Sequence, residues 1–81
     1  MSGISMAGIL EIVGEIVDLS GADTSVHARF GEDIPVDSRD MLRILSRLES
    51  RYRFRFPPGE ILKLQTLGDL LESVRRAAPG R

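Results

Sequence analysis

Asp37 and Ser38 open the stretch PVDSRDMLRILSRLESRY, and Arg39, Arg43, Arg47 and Arg51 follow at intervals of four. An Asp-Ser pair ahead of an amphipathic run can give a side-chain oxygen to the unpaired N–H groups of a helix's first turn. Asp40 adds negative charge where the helix dipole favours it. The same position suits a phosphate ester on the serine, because a helix N-terminus favours an anion. Hydrolytic use of Ser38 is disfavoured: it needs a base, and His27, the sole histidine, is eleven residues away in an aperiodic stretch. Fourfold spacing sets the arginines on one exposed ridge. That ridge is compatible with a solvated face carrying local pairs, such as Arg47 or Arg53 with Glu49. It is also compatible with docking to an acidic protein surface, since guanidinium pairs bidentately with carboxylate. A nucleic-acid face is a third reading. Against it stand a net charge of −1, a pI near 5.7, and Asp37, Asp40 and Glu49 on or beside the same helix.

The elements that must hold these residues follow from hydrophobic periodicity. Residues 4–19 predict a first helix, with Ile9, Ile12, Val13 and Ile16 on its inner face. Residues 20–36 have no period and are rich in Gly, Ser, Thr, Asp and Pro, so they predict a long loop. A second helix is expected over 38–52, with Met41, Ile44, Leu45, Leu48 and Tyr52 as its apolar stripe and Leu42 on the border. Strand signals are confined to 52–56, too short a run to make a sheet alone. Phe54 and Phe56 there alternate with Arg53 and Arg55 and are read as core closure ahead of Pro57-Pro58-Gly59. Glu60 to Leu64 predict one or two helical turns. A last helix starts at Thr66, capped by its hydroxyl with Asp69 three residues on, and buries Leu67, Leu70, Leu71 and Val74. Residues 77–81 are expected to fray.

Composition bounds the rest. Eighty-one residues, 42% hydrophobic and 28% charged, make one small globular domain over 1–81 with a structured core of about 4–76. With no cysteine there is no thiolate nucleophile and no cysteine-bound metal, and one histidine cannot assemble a metal site with scattered carboxylates. No apolar run approaches a membrane span and no signal peptide is evident, so a cytoplasmic protein is expected. Charge is unevenly distributed. Residues 1–36 hold six acids and one arginine, whereas 37–56 hold six arginines and three acids. Such polarity bears on partner choice rather than on fold.

The order of features resembles the acyl carrier protein family from about Ile9 to Val74. The matching pieces are IVGEIVDLSGADTSV, ARFGEDIPVDS, DSRDMLRILSRLESRY, with Leu48-Glu49 ten and eleven residues beyond the serine, and FPPGEILKLQTLGDLLESV. The resemblance implies a small all-α four-helix bundle with a long first loop and a short third helix. It implies a monomeric carrier that is not an enzyme. Ser38 would bear a 4′-phosphopantetheine arm drawn from coenzyme A, Asp37 being the acid that precedes the attachment serine. The arm's thiol would hold an acyl or related intermediate as a thioester, so a cysteine-free chain could serve fatty acid or polyketide biosynthesis. A phosphopantetheinyl transferase and acyl-transferring or thioester-processing enzymes are the implied partners, with Arg39, Met41, Arg43 and Arg47 selecting among them. Phe56, Ile61, Leu64 and Leu67 would border the apolar space that shelters an acyl chain. Two features depart from the family pattern: Arg39 stands where a hydrophobic residue usually follows the serine, and the second helix is basic rather than acidic. The alternative is an unmodified helical interaction module that uses the arginine-lined helix.

Overall fold

Each helix begins at a side-chain cap and runs as far as its apolar periodicity does. The computed structural model describes residues 4–78. Helix α1 (Met6–Ile16) is capped by Ser5, whose Oγ accepts from the Gly8 N–H at 3.3 Å, and it buries Ile9, Ile12 and Val13. It stops short of the predicted residue 19. Val17 is already extended, and the Asp18 carboxylate accepts the Ser20 N–H at 2.9 Å, a local turn that competes with another helical turn. Helix α2 (Ser38–Tyr52) has the predicted bounds and buries Ile44, Leu45 and Leu48. Arg53 ends it in the left-handed region at φ 57°.

The expected third helix is a single 3-10 turn, Glu60–Lys63, so the described residues form three α-helices and one turn. The reason is lack of room. Pro57-Pro58-Gly59, with Gly59 at φ 89°, delays the helical start, and Leu64 must become extended to bury its side chain before Thr66 caps the next helix. Helix α3 (Leu67–Ala77) carries the capping box read in the sequence, Thr66 and Asp69 each accepting from the other's backbone N–H at 3.1 Å. It includes Ala77, where fraying was expected; residues 79–81 of that predicted tail lie outside the described residues.

The long loop is fastened to the start of α3. Gly68 donates its N–H to the Val26 carbonyl, Leu67 to Ala28, and Phe30 to Gln65, at 2.9–3.0 Å. A Cβ on Gly68 would lie 2.9 Å from the Val26 carbonyl oxygen, so this contact requires glycine. Pairing stays at two isolated bridges, Arg29 with Thr66 and Phe30 with Ile34. The loop also buries Ala28, Ile34 and Val36 in the cluster filled by the helices. Side chains such as Ile12, Ile44, Leu48 and Leu70 are almost wholly enclosed, each stabilising the fold by about 1.5–3 kcal/mol relative to exposure. Between α1 and α2 the Tyr52 hydroxyl comes so close to Gly8 that a Cβ there would sit 2.6 Å from it.

Candidate functional site

Asp37, rather than Ser38, caps α2. Its Oδ1 accepts the Asp40 N–H at 2.8 Å, and Asp40 Oδ2 accepts the Asp37 N–H at 3.3 Å. An N-cap must have non-helical dihedrals. Asp37 has them (φ −97°, ψ −176°), whereas Ser38 is already the first helical residue. The Asp40 amide is the main cause that holds the Asp37 carboxyl below its ordinary pKa, and the nearby Arg39 charge adds to it. Relieved of capping, Ser38 is exposed, and its hydroxyl makes no hydrogen bond among the described residues.

Beside Ser38 lies a groove of about 350 Å³. Phe30 and Val36 of the loop, Met41 and Leu42 of α2, and Ile61 of the 3-10 turn line it together with Asp37 and Ser38. Of the four residues predicted for an acyl pocket, only Ile61 lies on this groove. Phe56, Leu64 and Leu67 are buried in the core. Phe30 and Val36 escaped the sequence reading because loop residues have no period that assigns them a face. The available signal was weaker: with Val26 and Ile34 they are the only large apolar side chains in residues 20–36.

The arginine row is split. Arg47 pairs with Glu15 of α1 at 2.6 Å and Arg51 with Glu11 at 3.2 Å. The expected partner, Glu49, instead accepts the Phe56 N–H at 2.9 Å, which leaves neither Arg47 nor Arg53 paired with it. Arg39 and Arg43 form no salt bridge among the described residues and are exposed. Leu42, 60% exposed, stands between the Ser38 groove and a second cleft of about 660 Å³ that contains Arg43, Ser46 and Arg47. Elsewhere, His27 is an exposed loop residue, and no group of metal-ligating side chains exists among the described residues. Phe54 and Phe56 meet edge to face at 4.8 Å, with Phe56 buried. This is core closure.

Residues 7–74, most of the chain, match the family described as the phosphopantetheine attachment site. The chain belongs to the phosphopantetheine-bearing acyl carrier proteins. Its relatives include an acyl carrier protein of Arthrobacter sp., 32% identical over 72 residues that cover 89% of both chains. Another, from Acidothermus cellulolyticus, is 28% identical over 72 residues, 89% of this chain and 86% of its own. A meromycolate extension acyl carrier protein of Mycobacterium leprae is 27% identical over 71 residues, 88% of this chain and 62% of that longer one. As a member of the family the protein is a carrier and not a catalyst. It bears a covalent 4′-phosphopantetheine whose thiol holds acyl groups as thioesters, and it works with a phosphopantetheinyl transferase and biosynthetic enzymes. The family match does not favour an unmodified interaction module. Among the described residues, no helix is long and apolar enough to cross a membrane.

The residues present fit such an arm. An attachment hydroxyl must be exposed and uncommitted, as that of Ser38 is. The ester phosphate would sit at the first turn of α2, where the dipole favours an anion and Arg39 adds positive charge. The adjoining groove is mostly apolar side chain, chemistry suited to a chain of methylenes.

Proposed function

We propose that Ser38 is the attachment point, and that the carrier presents an apolar acyl thioester to enzymes that dock on the N-terminal half of α2. The observation that carries this reading is the division of labour at the helix start. Asp37 takes the cap, so the exposed Ser38 hydroxyl has no structural task and lies beside an apolar groove. Asp37 acts as a positioning residue for the serine's backbone. Arg39 and Arg43 are the docking cations, and Leu42 is the apolar contact between them. Arg47 is engaged by Glu15 and contributes less, and the half-buried Met41 serves the groove rather than the docking face. Partners with acidic patches around an apolar contact fit this surface by charge.

The 3-10 turn takes the place of a third helix, completing a reduced four-helix carrier that works as a cytoplasmic monomer. Kinship with acyl carrier proteins supports that reading, and tethered delivery needs no second copy. A lipid-type acyl group is favoured by the groove's side chains and agrees with the meromycolate extension named for the mycobacterial relatives. Tethering on the arm raises the acyl group's effective concentration at a docked enzyme.

Intact mass after incubation with coenzyme A and a phosphopantetheinyl transferase tests the attachment, with Ser38→Ala as control. The expected result is one added phosphopantetheine on the wild type and none on the variant. An unmodified protein isolated from its own cells would sink the assignment.

A further inference from the structure

Among the described residues, one side chain of residues 57–63, the segment that carries Ile61 to the groove, hydrogen-bonds to the rest of the protein. No residue of the 3-10 turn is buried, and Leu62 is 85% exposed. The backbone bonds within this segment are local: Glu60 N–H to Pro57, Leu62 N–H to Gly59, and Leu64 N–H to Ile61. Among the described residues, the hydrogen bonds that leave it come from the Glu60 carboxylate. Its Oε2 accepts the Ser73 hydroxyl at 2.6 Å and the Arg76 guanidinium at 2.8 Å, both from α3. The carboxylate is only 15% exposed, and Ser73, at 3%, is the buried polar residue among the described residues. A charge-assisted hydrogen bond to a buried hydroxyl is a strong anchor for a turn with no fully buried apolar side chain of its own. The two bonds also lower the Glu60 pKa, the Ser73 hydroxyl more than Arg76, so the anchor stays ionised at neutral pH. Gly59, at φ 89°, leaves the segment a backbone pivot at its start.

The geometry points to Glu60 as a specificity-determining residue. By fastening the turn to α3 it fixes Ile61 as the far wall of the groove beside Ser38, and so limits the length of acyl chain the groove shelters. Glu60 touches no cargo and acts through Ile61. Phe30, Val36 and Met41 form the other walls, which belong to the loop and α2 rather than to the turn. Longer chains must displace the turn, at the expense of the Glu60 bonds. This inference rests on attachment at Ser38.

The test uses the full-length wild type with Glu60→Ala and, because Ser73 and Arg76 supply the other half of the anchor, Ser73→Ala and Arg76→Met. Deuterium exchange on the unloaded proteins comes first. The amides of Leu62 and Leu64 should exchange roughly tenfold faster or more in Glu60→Ala, the size expected for losing hydrogen bonds to a charged group. Unchanged exchange there overturns the anchor, whatever happens at Ser38. Each protein is then loaded with saturated acyl groups of increasing length. The thermal midpoint and the rate of thioester cleavage by hydroxylamine are read for every length. In the wild type, stabilisation and protection should stop growing at a shorter chain than in Glu60→Ala, with Ser73→Ala and Arg76→Met, which each keep one of the two bonds, falling between. A uniform drop in midpoint with the same limiting length would reduce Glu60 to a structural role and overturn the inference. Failure of the wild type to gain mass at Ser38 is a separate result, read before any chain length, and it counts against the attachment reading instead.

Discussion

The two ends of α2 carry the same residue type at the same spacing and do different things with it. At the C-terminal end, Arg47 and Arg51 reach across to Glu15 and Glu11 of α1, and Tyr52 packs on Gly8. At the N-terminal end, Arg39 and Arg43 face solvent without a salt bridge among the described residues, beside a free serine hydroxyl and an exposed leucine. One end is cross-linked to α1 by surface ion pairs and the other is unpaired outward surface. The difference is set by the neighbour. α1 presents acids to the second half of α2, whereas the first half faces the loop residues Phe30 and Val36 and the turn residue Ile61.

The largest contrast comes from breaking each end at its centre. Ser38→Ala should abolish loading, read by intact mass, and shift stability by no more than about 0.5 kcal/mol, because Asp37 keeps the cap. Leu48→Ala should do the reverse, costing about 2–5 kcal/mol in denaturant unfolding, enough to threaten a domain this small. A Gly8→Ala change sharpens the scaffold side. Its Cβ meets the Tyr52 hydroxyl at 2.6 Å, so the phenol must shift, and this offsets the roughly 0.5–1 kcal/mol that alanine gains over glycine in a helix. Thermal melting should show a net change within about 1 kcal/mol, with loading unaffected.

Charge changes separate the two pairs of arginines. The Arg39→Glu, Arg43→Glu double variant should slow loading by the protein's own transferase roughly threefold to tenfold at low salt, with the gap closing as salt is added. Arg47→Ala should leave that rate near normal and cost about 0.5 kcal/mol of stability, the size of an exposed ion pair. Equal effects on loading from both pairs would erase the distinction between the ends. The smallest effect concerns pH. The Asp37 carboxyl has a folded pKa below its unfolded value, so its stabilisation is complete above the ordinary aspartate range and is lost as pH falls through the folded value. Asn also caps well. Asp37→Asn should therefore melt slightly below the wild type at neutral pH, with the difference shrinking in acid; a difference that does not vary with pH would remove ionisation from the cap.

Much of this carrier was legible in the chain because helices are written in local terms. The 3.6-residue apolar period gave α2 its bounds, and Thr66 with Asp69 marked the start of α3, since a cap and its acceptor lie three residues apart. Asp37 and Ser38 marked the start of α2 for the same reason, and the family resemblance made Ser38 the proposed attachment point. The sequence left open which of the two would cap. That choice turns on one pair of dihedrals, and only the folded backbone supplies them.

Contacts between distant segments were beyond any local pattern. Glu15 with Arg47 spans 32 positions and Glu60 with Arg76 spans 16. Reading Glu49 as the arginines' partner was reasonable on helical spacing, yet the chain turns back after Arg53 and brings the Phe56 amide to that carboxylate. The groove has the same origin: its walls come from the loop, α2 and the turn, and Phe30 and Val36 acquire their place only when the loop is fastened to α3. Residue types and periodicity thus determined the helices and the surplus of arginine on α2, while the family resemblance, not the periodicity, implied attachment at Ser38. Tertiary structure decided which arginines pair with acids of α1, which serine oxygen is free, and what shape adjoins it, because those depend on which distant groups compete for each hydrogen bond.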